Sequence, residues 1–260
     1  MDWLKLAMGQ PVGGNVRIDC PECQRKKSAG VTNHGEVYSI FCFGCYHKES
    51  KPAPPMTPQE RRAMQLQAEE FRAKSPELPE DFTTELPPAG VLWLAKGGLN
   101  HCDIARHGFG YSPSMQRVIM PVYEDGELVA VQARALHRGQ EPKYLGQIRR
   151  HPRPAFQAPH STPTDTLVLT EDMLSACRVS KVCDAWSTLG TNLCAAVLAR
   201  IGETAYDQVS IWMDADAAGV RARRKMHALL QTTGKQITMI HSDRDPKKHS
   251  LEEIRRLIWP

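Results

Sequence analysis

The stretch QVSIWMDADAAGVRARRKMHALL, residues 208–230, joins an apolar run to an amphipathic run through a short acidic segment. Residues 208–213 have the length and apolar character of a buried strand, and residues 217–231 are rich in strong helix formers. Asp214 and Asp216 lie between the two runs. The stretch therefore predicts a strand followed by a helix, with two carboxylates at the carboxyl end of the strand.

The same order of elements recurs around this stretch. The apolar run TLVLT, residues 166–170, is typical of a strand, and it ends directly before Glu171. The predicted elements of this region are strands over 166–170, 181–187, 208–213 and 235–240, and helices over 172–180, 192–202, 217–231 and 250–258. Because strands and helices alternate regularly, we expect an α/β fold with a parallel sheet.

Acidic residues follow several of these strands, namely Glu171, Asp214, Asp216, Asp243 and Asp245. Ligands of parallel sheets bind outside the carboxyl ends of the strands, where the strand order reverses. Clustered carboxylates repel one another unless a cation lies between them, and hard oxygen ligands suit Mg²⁺. We expect Glu171, Asp214 and Asp216 to face one crevice and to hold Mg²⁺ or Mn²⁺, with Asp243 or Asp245 as a further ligand. Helix capping is the alternative role for each of these residues.

Four cysteines near the N-terminus form two Cys-x-x-Cys pairs separated by eighteen residues: Cys20, Cys23, Cys42 and Cys45. This spacing is typical of a closed tetrathiolate zinc site, in which the ion is structural because no open position remains for a substrate. Two disulfides or free core cysteines are the alternatives. His34 and His47 are further candidate ligands, but four thiolates complete the set, so we interpret both as surface histidines.

The surface of this small module has residues suited to nucleic acid. They are the basic residues Arg25, Lys26 and Lys27 and the aromatic residues Tyr38, Phe43 and Tyr46, which the sequence suggests are exposed. Cations contact phosphates and rings stack on bases in single-strand-binding proteins. The alternative is a solvated turn beside a small core. Residues 149–154, RRHPRP, form a second basic segment that could follow template phosphates.

Composition shifts divide the chain into four predicted parts. Residues 1–50 are the zinc-ribbon-like module, and residues 51–89 are a proline-rich linker that carries a helix over 57–75. Residues 90–164 contain two short helices and a hairpin that turns at Asp125 and Gly126. Residues 165–260 contain the strand and helix alternation.

The composition is that of an ordinary globular protein of 260 residues, with 24% charged residues and a net charge of +4. No apolar run approaches the roughly 18 residues of a membrane span, and the first residues lack the pattern of a secretory signal. The chain also lacks the G-x-x-x-x-G-K-[ST] phosphate-binding loop of Walker-type motors. We therefore expect a cytoplasmic protein without a helicase motor of that kind.

The acidic residue after one strand and the Asp-x-Asp-x-x-Gly segment after a later strand resemble the TOPRIM fold of primases, topoisomerases and nucleases. With the zinc module, the hairpin RVIMPVYEDGELVAVQARAL, and PKYLG and STLGT in that order, the chain is similar to DnaG-type and phage primases. The resemblance implies that Glu171, Asp214 and Asp216 are catalytic metal ligands and that Asp245 occupies a later acidic position. The chain departs from the pattern at Asp172, where glycine is frequent, and at Ser175, where aspartate is frequent.

The resemblance also implies an activity, which is the synthesis of short RNA primers on single-stranded DNA from ribonucleoside triphosphates. Joining two nucleotides requires metal ions for the reacting oxygens and cations for the triphosphate. Arg117, Arg134 and Lys143 lie at the resembling nucleotide-binding positions, and Glu171 has an alternative role as general base. A separate replicative helicase is the expected partner, and the size resembles a form encoded by a phage or mobile element in a bacterial host.

Two other functions use the same features. TOPRIM nucleases cleave phosphodiesters with the same carboxylates, and a non-catalytic module could bind single-stranded DNA without turning it over. Ser175 and the modest net charge favour the non-catalytic alternative.

Overall fold

The structure is a computed structural model that describes residues 2–10, 14–54, 57–60, 62–63, 76–140, 142–148 and 154–260. The chain divides into two compact units, Met1–Lys74 and Ser75–Pro260. Each unit is described by itself below.

The first unit is a small antiparallel sheet with one helix against it. Its elements are α1 (Trp3–Met8), β1 (Asn15–Ile18), β2 (Ala29–Asn33), β3 (Val37–Cys42) and β4 (Lys48–Pro52), and the strand order is β1-β2-β3-β4. Its core contains Trp3, Ala7, Val31 and Ile40 together with two of the cysteines, Cys20 and Cys42. A core this small favours additional stabilisation by a bound metal.

The second unit begins with two helices and an antiparallel sheet. Its elements here are α2 (Pro88–Lys96), α3 (His101–Arg106), β5 (Gly110–Ser112), β6 (Arg117–Glu124), β7 (Glu127–Ala135) and β8 (Tyr144–Ile148). The strand order is β5-β6-β7-β8. Asp125 and Gly126 both have positive φ, 51° and 83°, as the tight turns of β-hairpins require. The predicted hairpin is therefore confirmed.

A second sheet in this unit contains the strand and helix alternation. Its elements are β9 (Phe156–Ala158), β10 (Thr166–Thr170), α4 (Met173–Val179), β11 (Asp184–Ser187), α5 (Ala195–Glu203), β12 (Gln208–Trp212), α6 (Ala217–Leu230), β13 (Gln236–Met239) and α7 (Leu251–Ile258). The strand order is β13-β12-β10-β11-β9. Strands β10 to β13 pair in parallel, and β9 joins the edge antiparallel to β11. The predicted parallel sheet and the mixed α/β class are confirmed.

Strand β10 is at the centre of this sheet, and every residue in it is buried. Leu167 and Leu169 pack in one apolar cluster with Ile211, whereas Val168 packs in another with Trp212. Both faces of the sheet are therefore covered. This explains why the strand is continuously apolar instead of alternating.

Two predicted features lie wholly or mostly outside the described residues. Of the helix expected over 57–75, residues 58–60 and 62–63 are helical, and the remainder lies outside the described ranges. The basic segment at 149–154 lies outside them except for Pro154. In the parts of the chain that the structure describes, no helix combines the length and apolarity that crossing a bilayer would require.

Candidate functional site

The strand order places the site between β10 and β12. The chain passes from β10 to β11 on one side and then returns to β12 on the other side, so the order reverses at this pair. Thr170 and Trp212 are register partners at the ends of the two strands, and Glu171 and Asp214 follow them. Ligands of open parallel sheets bind at such a point.

A cleft of about 510 Å³ opens at this edge of the sheet. Its lining includes the acidic residues Glu171, Asp172, Asp214 and Asp245 and the basic residues Arg134, Lys143 and Lys247. Opposite charges therefore share one cavity, which has the composition expected of a site for a phosphate compound and its metal ions.

Glu171 and Asp214 have carboxylate oxygens without partners. Glu171 Oε2 and Asp214 Oδ1 are both inaccessible to solvent, and neither has a hydrogen-bond partner among the described residues. Burial, together with the neighbouring aspartates, raises the pKa of Glu171 to about 7. Burial likewise raises the pKa of Asp214 to about 6, against the opposing charge of Lys247. A divalent cation would satisfy both oxygens and lower both pKa values, so the residues fit Mg²⁺ or Mn²⁺.

Lys247 lies among the carboxylates, and no pattern in the sequence predicts a role for it. Its Nζ is 2.6 Å from Asp172 Oδ2, 3.8 Å from Asp214 Oδ2 and 3.9 Å from Asp245 Oδ2. The available sequence signal was its position two residues after Asp245, in a segment that follows a strand of the sheet. One ammonium group therefore contacts three acidic side chains of the cleft.

Asp216 has a structural role that the sequence left open. Its Oδ1 accepts a hydrogen bond of 2.8 Å from the Gly219 backbone N–H and caps helix α6. The side chain is exposed and does not line the cleft, although its charge contributes to the raised pKa of Glu171. Its predicted place as a metal ligand stays a prediction.

Gly219 explains the spacing of the Asp-x-Asp-x-x-Gly segment. A Cβ on Gly219 would lie 2.1 Å from the carbonyl oxygen of Asp214. Contacts below about 3 Å do not occur between such atoms, so any larger residue would push the helix away from the strand end. The glycine therefore holds the backbone of Asp214 close to the start of α6.

The two aspartates after β13 differ in position. Asp245 lines the cleft and accepts a hydrogen bond of 3.4 Å from the Ala215 backbone N–H. Although burial opposes it, hydrogen bonds and nearby lysines lower the pKa of Asp245. The side chain of Asp243 is 88% exposed and pairs with Arg244, so of the two it is Asp245 that faces the candidate metal site.

Two of the three predicted nucleotide-binding cations line the cleft. Arg134 and Lys143 belong to its lining. The Arg134 guanidinium carbon is 5.4 Å from the centre of the Trp93 ring and 4.9 Å from that of Tyr144. Its Nε and Nη1 are buried and have no hydrogen-bond partner among the described residues. Donors held between two rings in this way are suited to binding an anion such as phosphate.

Arg117, the third predicted nucleotide-binding cation, lies outside the lining of the cleft. It is 3% exposed, and its Nη1 donates to the carbonyl oxygens of Ala133 and Lys143 at 3.4 and 3.5 Å. These bonds connect neighbouring strands of the antiparallel sheet, and Arg117 does not belong to the lining of the cleft. Its predicted contact with nucleotide stays a prediction.

The four N-terminal cysteines have the geometry of a tetrathiolate zinc site. All four Sγ atoms lie within 4.8 Å of one another. The Cys20 and Cys45 sulfurs are 3.7 Å apart and the Cys23 and Cys42 sulfurs are 3.8 Å apart. Ligands about 2.3 Å from a tetrahedral ion are separated by about 3.8 Å, whereas disulfide sulfurs are about 2 Å apart. The described cysteines are free of disulfides, and the cluster contains neither His34 nor His47.

Backbone hydrogen bonds stabilise the cysteine cluster further. The N–H groups of Gly44 and Cys45 lie 3.2 and 3.4 Å from Cys42 Sγ, and the N–H of Cys23 lies 3.5 Å from Cys20 Sγ. These donors favour the thiolate form that a metal ion requires. Among the described residues, these four cysteines are the group of three or more metal-ligating side chains whose ligand atoms all lie within 4.8 Å of one another.

The exposed aromatic residues of the zinc module differ from the prediction by one residue. Phe43 and Tyr46 are 57% and 56% exposed, as expected. Tyr38 is partly buried against the core of the module, so its predicted exposure is wrong. Phe41 is exposed instead, with its ring 5.0 Å from that of Phe43. Strand β3 alternates its faces, so residues 38 and 41 lie on opposite sides.

Comparison with known proteins agrees with this geometry. Residues 170–249 match a family described as Toprim-like. The zinc-binding and RNA polymerase domains of the Aquifex aeolicus primase match with 17% identity and a TM-score of 0.57, over 99% of this chain and 82% of that chain. The chain therefore has a primase fold. The predicted resemblance to DnaG-type primases with a zinc module is thereby confirmed at the level of the fold.

A second solved structure has a weaker likeness to the chain. It is the primase fragment of the bacteriophage T7 primase-helicase protein, with 13% identity and a TM-score of 0.49, over 94% of this chain and 97% of that chain. No curated protein sequence matches the chain.

Proposed function

We propose that the chain is a DNA primase that synthesises short RNA primers on single-stranded DNA by two-metal nucleotidyl transfer. The observation that carries the proposal is the shared cleft. Glu171 and Asp214 stand at the ends of neighbouring parallel strands, and Arg134 and Lys143 line the same cavity. The primase fold of the chain supports the same conclusion.

The carboxylates would hold the divalent ions. Glu171 and Asp214 each offer a buried oxygen without a partner, and Asp245 and Asp216 are the further candidate ligands. When bound, Mg²⁺ or Mn²⁺ would supply the positive charge that stabilises the attacking and leaving oxygens of an in-line displacement. Glu171 would be one of the residues that hold an ion. Its raised pKa of about 7 also supports an alternative role as general base.

The basic residues of the cleft would bind the triphosphate. Arg134 offers two buried donors without partners, and the rings of Trp93 and Tyr144 limit the movement of its guanidinium. Lys143 adds a second cation in the same lining. A fork of donors and a point charge together suit a triphosphate, because one orients it and the other neutralises it.

The zinc module would hold the template. We propose that Cys20, Cys23, Cys42 and Cys45 bind Zn²⁺, which keeps the module folded. Phe41, Phe43 and Tyr46 then form a cluster of exposed rings, and the Arg17 guanidinium lies 4.0 Å from the centre of the Phe43 ring. Rings and cations at one surface suit the bases and phosphates of single-stranded DNA.

A separate replicative helicase would complete the activity. The 260 residues contain no Walker-type phosphate-binding loop, and we propose a separate helicase as the partner that opens the duplex. We place the reaction in the cytoplasm of a bacterial host, with the gene carried by the host or by a phage or mobile element.

The test is template-dependent synthesis by the zinc-loaded chain. It would be incubated with a library of single-stranded DNA, labelled ribonucleoside triphosphates, and Mg²⁺ or Mn²⁺. New short RNA that depends on the DNA sequence is the expected result. Shortened DNA without RNA would establish the nuclease alternative, and binding of DNA without either product would establish the non-catalytic alternative.

A further inference from the structure

Lys247 fills a position among the acidic side chains of the cleft. Its Nζ is within 3.9 Å of one oxygen from each of Asp172, Asp214 and Asp245. The shortest of these contacts, 2.6 Å to Asp172 Oδ2, is also a hydrogen bond. The Lys247 side chain is 25% exposed, so most of it is enclosed by the cleft. The ammonium group therefore lies within the cleft and not on the open surface of the protein.

Asp172, the nearest partner of Lys247, is held in place by Ser175. Asp172 Oδ1 accepts from the Ser175 backbone N–H at 3.0 Å, and Asp172 Oδ2 accepts from Ser175 Oγ at 2.9 Å. Ser175 is completely buried. Asp172 and Ser175 are also the two positions at which the chain departs from the sequence pattern that it resembles. Together they form the anchor for Lys247.

The two carboxylate oxygens of Asp214 lie in different surroundings. Its Oδ2 is the atom that approaches Lys247, at 3.8 Å. Its Oδ1 is buried and has no partner among the described residues, and the same holds for Glu171 Oε2. One side of the Asp214 carboxylate therefore has a cation already, and the other side does not.

A divalent ion bound by Asp214 Oδ2 and Asp245 would lie about 2.1 Å from both oxygens. Lys247 Nζ is 3.8 and 3.9 Å from Asp214 Oδ2 and Asp245 Oδ2, so the ion and the ammonium would be close neighbours. Two positive charges that share the same carboxylate oxygens repel each other strongly in a partly buried site. The position on the Lys247 side is therefore closed to a divalent ion while the lysine remains there.

We propose that Lys247 is a tethered cation that takes the place of one divalent ion, so that the free chain binds a single divalent ion in the cleft, at Glu171 and Asp214. The inference rests on the proposed function only in treating these carboxylates as divalent-ion ligands. A second ion of the proposed reaction would then have to enter together with the triphosphate, which brings its own oxygen ligands.

The test is the number of Mn²⁺ ions bound by the full-length, zinc-loaded chain without nucleotide. Free Mn²⁺ would be measured by electron paramagnetic resonance, with zinc content checked in each sample. The wild-type chain is expected to bind one Mn²⁺, and Lys247→Met is expected to bind two. Lys247→Gln serves as a second neutral variant with the same expected count, so the result does not depend on the folding of one variant.

Lys248→Met is the matched control. Lys248 Nζ pairs with Asp245 Oδ2 at 2.9 Å, but its side chain is 59% exposed and outside the lining of the cleft. This variant should still bind one ion. Two ions or none on the wild-type chain would overturn the inference, as would one ion on both neutral Lys247 variants. The number of bound Mn²⁺ ions is measured without any RNA synthesis. A wild-type chain that binds one ion but makes no RNA would therefore contradict the proposed function and leave the inference about Lys247 intact.

Discussion

Gly219 lies against the backbone of Asp214, so closely that a Cβ on the glycine would be 2.1 Å from the Asp214 carbonyl oxygen. The contact joins the first turn of α6 to the end of β12, where the candidate metal site begins. Any side chain at this position must separate the helix from the strand. The Asp-x-Asp-x-x-Gly spacing is thus a packing requirement as well as a chemical one.

We predict that Gly219→Ala lowers the free energy of unfolding by about 2–4 kcal/mol, because the new Cβ overlaps backbone atoms that cannot move aside. Gly202→Ala is the control, since the nearest atom to a Cβ at Gly202 is Thr233 Cγ2, at 3.9 Å. Alanine favours helices over glycine by up to about 1 kcal/mol, so this variant should be unchanged or more stable. Urea denaturation measures the free energy of unfolding of both variants. An equal loss of stability in the two would contradict the packing argument.

Glu171 should destabilise the zinc-loaded chain at neutral and alkaline pH when the cleft holds no divalent ion. Its folded-state pKa of about 7 lies above the ordinary 4.5, so the folded chain binds the proton more tightly than the unfolded chain. The associated stability is present below pH 4.5 and is lost as the pH rises through 7. We predict that Glu171→Gln is more stable than wild type by about 1 kcal/mol at pH 8, a value reduced from the full shift because the side chain keeps contact with solvent.

The measurement for Glu171→Gln is urea denaturation without added divalent ions, on zinc-loaded protein, at pH 5 and pH 8. The advantage of the variant should be smaller at pH 5. A variant that is less stable than wild type at both pH values would show that the carboxylate is satisfied by the protein itself.

Divalent-ion affinity should increase with pH. Glu171 and Asp214 have pKa values of about 7 and about 6, raised first by burial, and a metal ion binds their ionised forms. We predict that Mn²⁺ affinity at pH 8 exceeds that at pH 5.5 by about tenfold or more, with release of protons on binding. Isothermal titration calorimetry in buffers of different ionisation enthalpy measures both quantities. Equal affinity at the two pH values would place the ion elsewhere.

Removal of zinc should unfold the N-terminal module. The module has a small core, and two of its buried residues are cysteines of the cluster. We predict that Cys20→Ser loses zinc and that strand signal in the far-ultraviolet circular dichroism spectrum decreases. Cys102→Ser is the control, because Cys102 is exposed and lies outside the cluster. Full zinc content in Cys20→Ser would show that three thiolates suffice or that the cluster is not the site.

The sequence predicts the strands around the site closely because the central strands of the sheet are buried on both faces of the sheet. Strand β10 was predicted over residues 166–170 and is found there, since a continuous apolar run bounded by polar residues has few alternatives. The ends of β10 and β12 then placed Glu171 and Asp214 at one edge. That deduction needed the pattern of strands and helices, and no knowledge of side-chain contacts.

Contacts between distant residues were beyond the reach of the sequence. Lys247 depends on Asp172, which is 75 residues away, and no local pattern connects them. Arg117 and Arg134 look alike as charges on neighbouring strands, yet Arg117 is buried between strands and Arg134 faces the cleft. Tyr38 and Phe41 differ only by the face of β3 on which they lie. In each case the tertiary packing decides the outcome.

The most direct test of the account compares primer synthesis by Asp214→Asn and Asp207→Asn. Both variants replace one aspartate with its amide near β12, but Asp214 follows the strand at the cleft and Asp207 precedes it, exposed to solvent. We predict that Asp214→Asn reduces the rate of template-dependent RNA synthesis about 1000-fold or more, because a ligand of the reacting metal ions is lost, while Asp207→Asn stays within about twofold of wild type. Equal rates for the two variants would contradict the account.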